Sequence, residues 1–350
     1  MEIKKHLFLT AASKRIILAV GILAFNIPAA RPAKDDTTST RQVPVLIRHE
    51  AFTVNALVQT GFRFSLRKDN FQGGRTFQVY NARLSFHGTM DDKFDYRISF
   101  NTTPSPALLD AYLSYRTSDA FRLTAGIQKP VQTLDYIPDP GSTDFITRAR
   151  ITGLLVQSRE LGISAEGKTG GLYYYGGIFN GNRQLLNNNH AFYAIGRLQY
   201  TLNPGEYGDL QLAIQGSHGN SPGVRSGSNG PLLRGKRTLF GGDIKMETFR
   251  LLVAAEYLAG RVEIEEVPGT AEFISGYYFT GGYRVSENNV FLTRWQSWGY
   301  REMNFRDYQL TLGMNHAFSE FTGFQFNFDL YTPDTGNIHS GFSLLFQLQF

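Results

Sequence analysis

The chain contains no cysteine. That excludes disulfides, thiolate metal sites, a cysteine nucleophile and a lipidated amino-terminal cysteine. Long hydrophobic runs are also missing. Beyond the first 30 residues no apolar stretch approaches the roughly 20 residues that a membrane helix needs. A large excess of one charge is missing too. The formal net charge of +5 arises from 35 basic and 30 acidic residues. Lys4, Lys5, Lys14 and Arg15 set against Glu2 supply most of it; without them 31 bases face 29 acids, a net of +2. Such a balance leaves no electrostatic footprint for a nucleic-acid partner, and none is expected. The histidines His49, His87, His190, His218, His316 and His339 are scattered. None lies in a nucleophile motif, a His-x-x-x-His pair or a dense carboxylate loop, so no catalytic residue, metal site or cofactor is assigned.

What is present is alternation. Aromatics are abundant, with 28 Phe and 18 Tyr, and Gly is high at 36. In the last ten residues Phe342, Leu344, Phe346, Leu348 and Phe350 fall on one side of an extended chain, and Gly341, Ser343, Leu345, Gln347 and Gln349 on the other. Side chains alternate faces along a strand, so this reads as one greasy and one mostly polar face. The pattern begins at Thr53, where Val54, Ala56, Val58, Thr60, Phe62 and Phe64 oppose Asn55, Gln59, Gly61, Arg63 and Ser65. Tyr80, Ala82, Leu84 and Phe86 oppose Val79, Asn81, Arg83 and Ser85 in the same way. Similar segments recur to the end and total about 16, an even number, as single-chain bacterial barrels require.

Connections sort by length. Those at 90–93, 117–120, 166–171, 203–208, 246–248, 286–289 and 318–320 are tight. The intervening ones are longer and rich in Gly, Pro and Asn, notably 180–190, 218–236 and 259–272. Short turns on one side and long loops on the other are the layout of an outer-membrane barrel; a soluble sandwich has no reason to sort its loops so. The expected fold is therefore all-β, a transmembrane antiparallel barrel of about 16 strands over 53–350.

Residues 1–30 read as a signal peptide: a basic start, the apolar run 16–25, then small residues suited to cleavage after Ala29 or Ala30. Residues 31–52 form a short polar segment, expected in the periplasm. Secretion would place the amino terminus, the tight turns and Phe350 on the periplasmic side and the long loops outside.

The longest unpatterned stretch, 129–158, holds Pro130, Pro138, Pro140 and Gly141, which resist strand continuation. It is the third external loop. Structureless segments longer than about 12–15 residues are usually functional or disordered. Its apolar residues, among them Ile151, Leu154 and Leu155, suit packing against something, so an inward fold that narrows the pore is expected.

Five motifs, in order over roughly 76–202, resemble the phosphate-selective porin O/P family. They are 81–100 (NARLSFHGTMDDKFDYRISF), 108–116 (LLDAYLSYR), 126–130 (GIQKP), 144–148 (DFITR) and 177–182 (GIFNGN). The resemblance implies a sixteen-stranded homotrimeric outer-membrane channel with an inward third loop and a basic lumen. This third loop departs from the phosphate-selective members in lacking a lysine cluster.

Phased by their apolar faces, the strands turn Arg63, Arg83, Arg97, Arg116 and Arg122 inward, with Arg159, Arg197, Arg284 and Arg294 also inward and Asp243, Glu256 and Asp329 on later strands. Arginine ladders select anions through fixed charge and N–H donors that replace lost hydration. With Lys129, Arg148 and Arg150 of the third loop, Arg63, Arg83, Arg97, Arg116, Arg122 and Arg159 form the candidate anion pathway. The competing reading pairs the arginines with Asp95, Asp110 and Glu160, leaving a wet but weakly selective wall. The expected function is passive diffusion of small anionic or polar solutes, phosphate or polyphosphate included. A weakly selective porin, a barrel enzyme and a structural barrel are the alternatives.

Overall fold

The computed structural model describes residues 47–48, 52–66, 74–90, 92–103, 108–156, 159–183, 190–203, 208–225, 232–264, 269–334 and 336–350, without the side chains of 47, 48 and 221–233. The expected signal peptide and almost all of the 31–52 segment lie outside the described residues. The strands are β1 (Ile47–Arg48), β2 (Thr53–Ser65), β3 (Arg75–Met90), β4 (Phe94–Asn101), β5 (Leu108–Ser118), β6 (Phe121–Gln128), β7 (Glu160–Thr169), β8 (Leu172–Phe179) and β9 (Tyr193–Leu202). They continue as β10 (Asp209–Arg225), β11 (Leu232–Glu247), β12 (Leu251–Ile264), β13 (Ala271–Ser286), β14 (Asn289–Tyr300), β15 (Phe305–Ala317), β16 (Thr322–Thr332) and β17 (His339–Gln349).

From β2 to β17 each strand pairs antiparallel with the next, and β17 returns to β2 with Phe342 opposite Phe64 and Gln349 opposite Leu57. The sheet is a closed barrel of sixteen strands, to which β1 adds a two-residue pairing on β2. Closure removes the free edge that unpaired N–H and C=O groups would otherwise present. The seal extends to the last residue: Phe350 donates its N–H to the Ala56 carbonyl at 3.0 Å and accepts the Ala56 N–H at 2.6 Å.

The outward face is the apolar one. Phe77 is 83% exposed, and Ile178, Ile214, Phe240, Phe291 and Phe346 are exposed beside it. So much bare hydrocarbon is a liability in water and a match for lipid. Sixteen strands enclose a lumen too wide for wall side chains to fill.

One predicted face is reversed. Simple alternation puts Val79 inward and Tyr80 outward, yet Val79 and Phe77 point out. A bulge sets Asn81 and Val79 opposite Gln59 and Thr60, leaving Tyr80 as the extra residue. An inserted residue shifts the period of two by one, so every position before it changes face. The Tyr80 ring then lies against Gly61, where a Cβ would also overlap the Leu344 carbonyl. The 218–236 connection also differs: β10 and β11 stay paired out to Arg225 and Leu232, with a register shift between Ser221 and Val224. Glycine and serine there are compatible with an irregular hairpin even though they favour loops.

Candidate functional site

Gln128 ends β6, and Pro130 stops the ladder because it has no N–H to donate. The chain from 129 to 156 then lies against inward-facing side chains of strands far away in sequence. Gln132 donates to Ser217 of β10, and its carbonyl accepts from Arg197 of β9 at 3.1 Å. The N–H groups of Leu134 and Asp135 reach the two oxygens of Glu256 on β12 at 3.0 and 3.4 Å. Carbonyls of Pro140 and Gly141 accept from Gln59 of β2 and Gln347 of β17. Those of Thr143 and Asp144 accept from Gln325 of β16 and Asn315 of β15. Asn327 accepts the Ile146 N–H, and Arg294 donates to the Thr147 carbonyl. Irregular backbone away from water must find such partners, and here amide and acid side chains supply them.

The segment ends in a helix, α1 (Arg150–Leu155), whose first N–H goes to Gln296 of β14. Six residues do not hold a helix alone, so packing must hold this one. Ile151 and Leu155 are each 1% exposed and sit with Leu258, Ile274, Tyr278 and Trp298 in the main apolar cluster. This explains why β12–β14 carry large apolar residues on their inward as well as their outward faces.

The remaining wall, β2–β7, carries the arginines. The Arg63 side chain makes no hydrogen bond or ion pair among the described residues. Arg83 donates to Asn81 at 2.9 Å. Arg97 stands 3.8 Å from Asp110 and 3.6 Å from Asp139. Arg116 and Arg122 share Asp95 at 3.9 and 3.4 Å, and Arg122 also meets Glu166 at 3.5 Å. Arg159 is buried on Asp110 at 3.1 Å. Inward-facing cations on this wall are Arg63, Arg83, Arg97, Arg116, Arg122, Arg159 and Lys168; the carboxylates are Asp95, Asp110, Glu160 and Glu166. Seven against four leaves three positive charges in excess.

Acids elsewhere are differently employed. Asp243 is bound by Arg197 at 2.7 Å with both side chains fully buried. Glu256 holds the loop N–H groups and accepts from Gln215 at 2.7 Å. Asp329 accepts from Gln309 and Thr311 at 2.7 and 2.6 Å.

Two cavities follow the arginine wall. One, about 480 Å³, lies between Ser85, Arg83, His87 and Arg97 on the wall and residues 138–142 of the loop. The other, about 760 Å³, lies nearer the short-turn rim and is lined by His87, Asp95, Arg97, Tyr112, Arg116 and Arg122. They share His87 and Arg97. On the loop, burial pushes the Lys129 amine down to about 7; nearby Asp139 opposes this, while Arg148, Arg159 and Arg83 add to it. Burial pushes the Asp139 carboxyl up, but Lys129, Arg97, Arg159 and Arg83 outweigh it and hold the group below its usual range.

Of the predicted pathway residues, the structure brings Arg83, Arg97, Arg116 and Arg122 to these cavities. Arg63 faces inward on β2 but lines neither. Lys129 is 3.6 Å from Asp139 and donates to the carbonyls of Ile137 and Pro138. Three candidates are placed otherwise. Arg148 donates to the carbonyls of Asp135 and Pro138 and stacks over Tyr136, so it ties the loop to itself. Arg150 lies over Trp298 with its guanidinium carbon 5.5 Å from the ring centre. Arg159 is consumed by Asp110.

Residues 52–314 match the family described as phosphate-selective porin O and P. The chain belongs to that family. No curated protein matches it in sequence. Among solved structures, this porin is similar to the outer-membrane protein OmpT of Vibrio cholerae in its trimer form, with 13% identity over 86% of this chain and 100% of that one and a TM-score of 0.67. It is similar to an anion-selective porin from Comamonas acidovorans, with 13% identity over 86% and 99% of the two chains and a TM-score of 0.65. The outer-membrane channel DcaP of Acinetobacter baumannii aligns at 12% identity over 85% and 97%, with a TM-score of 0.57. Likenesses at such identity establish the barrel fold. The porin is thus an outer-membrane channel protein.

Sequence reasoning missed the residues that seat the loop: Gln59, Gln296, Asn327 and Gln347. Single amides on a polar face carry no signal of their own. Glu256 did carry one, since it stands between Ala254 and Leu258 on an inward face that is otherwise apolar.

Proposed function

We propose that the porin forms a water-filled passive channel that favours anions, with solutes passing between the arginine wall and the third loop. The observation that carries this reading is the division of charge: inward Asp243, Glu256 and Asp329 are engaged in buried contacts, while Arg83, Arg97, Arg116 and Arg122 line open space. Fixed charge in a narrow passage is screened less than on an open surface. The loop's seat on side chains from β9 to β17 and β2 supports its role as the constriction. Phosphate is a candidate solute because guanidinium pairs its oxygens two at a time.

The family and the trimeric OmpT neighbour support a homotrimer, and the basic, apolar and small-residue order of 1–30 supports a cleaved signal peptide with the short turns facing the periplasm. Arg116 and Arg122 both lean on Asp95, which favours a second reading, a weakly selective general porin. The test is a planar bilayer holding the purified protein in symmetric chloride, to which phosphate is added. A saturable fall in chloride current supports an anion pathway with affinity for phosphate; currents that add without saturation support the general porin.

A further inference from the structure

A third cavity, about 350 Å³, lies at the long-loop rim, in the crook of the turn that joins β14 to β15. Phe273, Ser275, Arg301, Asn304, Phe305 and Arg306 contribute to it. Ser275 and Arg306 alternate with inward Ile274 and Asp307, so they face out of the barrel. The Arg306 guanidinium donates to the hydroxyls of Ser297 and Ser275 at 3.1 and 3.2 Å. It can lie down on the wall because Gly299, its register partner, has no side chain: a Cβ there would come within 3.2 Å of the Arg306 Cα and Cβ. Arg301 stacks on the outward Phe273 ring, its guanidinium carbon 4.2 Å from the ring centre. Arg261 of β12, also outward, is in register with Phe273.

Arg261, Arg301 and Arg306 form no ion pair among the described residues. Of the carboxylates nearby, Glu302 attracts Arg301 and Asp334 borders the cavity, but neither forms an ion pair with these arginines. Glu302 accepts the Phe273 N–H at 2.8 Å, and Glu263 accepts the Lys236 N–H at 2.9 Å. The Asp334 N–H goes to Asp307. Hydroxyls satisfy the geometry of a guanidinium but do not neutralise its charge.

One row towards the middle of the wall, Tyr257 is opposite Tyr277, Tyr277 opposite Ser297 and Ser297 opposite Tyr308. Outward tyrosines aligned across strands mark a girdle at the membrane interface. Guanidiniums just beyond that girdle stand at the depth of lipid headgroups. The geometry points to a binding site for the phosphorylated headgroup of an outer-leaflet lipid, held by Arg301 and Arg306 with Arg261 beside them. It rests on the barrel lying in the membrane and is independent of what the channel conducts.

The test uses the full-length protein, purified in neutral detergent and delipidated. Native mass spectrometry reads binding of diphosphorylated lipid A, of its dephosphorylated form and of inorganic phosphate. Binding of the phosphorylated lipid is expected, weakened about tenfold or more by dephosphorylation or by the paired changes Arg301→Gln and Arg306→Gln, as loss of charge-assisted contacts implies. Inorganic phosphate at millimolar concentration should not displace it, and the variant's conductance should be unchanged. If the paired variant fails to assemble, Arg301→Gln alone decides, because that side chain has only its ring contact. Equal binding of the two lipid forms, undiminished binding in the variant, or displacement by inorganic phosphate would each overturn the assignment.

Discussion

Arg97 of β4 and Asp139 of the third loop face each other at 3.6 Å across the narrower cavity. Asp139 is the loop carboxylate placed against the arginine wall, and its side chain is half exposed. A pair that open adds about 0–1 kcal/mol to stability, while its charge acts directly on the passage. Asp139→Asn is therefore expected to leave the thermal midpoint within a few degrees of wild type and to strengthen anion preference, read as a larger zero-current potential in a salt gradient. A weaker anion preference would show that Asp139 mainly holds Arg97 in place.

Glu256 tests the seat of the loop. Its carboxylate takes the Leu134 and Asp135 N–H groups and Gln215. Glu256→Ala leaves these donors unpaired, at about 1–3 kcal/mol each where buried. Higher and noisier single-channel conductance is expected, since the loop loses a fixed point. Unchanged conductance with a lowered unfolding temperature would mean that the other anchors hold the loop alone.

Lys129 sets a pH dependence. Its amine lies near 7 in the folded protein, against about 10.4 in an unfolded chain. Between those values the unfolded state binds more protons, so stability rises with pH across that window. Over the same rise through 7 the loop loses a positive charge, and anion preference should fall. Reversal potentials at pH 6 and pH 8 check this, with Lys129→Met as the variant in which the difference shrinks. An equal difference in the variant would assign the effect to another group.

The barrel was legible because its code is local. Alternation, turn residues and loop lengths are each set by a few neighbouring residues, and they gave the strands, the even number and the two unlike rims. Faces were misread where a bulge intervened, as at Tyr80, because one inserted residue leaves the composition unchanged. The arginine wall followed from phase alone. What hides the acids did not, since Glu256 and Leu134 are joined only by the path of the third loop. The directions of Arg148 and Arg150 were not legible for the same reason: a segment without periodicity gives residue types but not directions.

Closure of the barrel depends on its last residues. Gln349 is in register with Leu57, and Phe350 exchanges two hydrogen bonds with Ala56. Removing 349–350 should impair assembly more than removing 222–229, measured as loss of the heat-modifiable gel band from the outer-membrane fraction. Gly126 is a second sensitive point, with φ of +128° and the Ala111 carbonyl where a Cβ would go. Gly126→Val is expected to fail in assembly, because the new side chain has neither the backbone conformation nor the space.

The arginine wall is expected to give the channel its preference for anions. This is tested most directly by the zero-current potential across a planar bilayer with a tenfold potassium chloride gradient, for wild type and for the paired changes Arg97→Gln and Arg116→Gln. The wild-type potential should have the sign set by chloride and shift towards the potassium side in the variant, with conductance retained. An identical potential in the two proteins would contradict this role, showing that these arginines serve only to pair Asp95, Asp110 and Asp139.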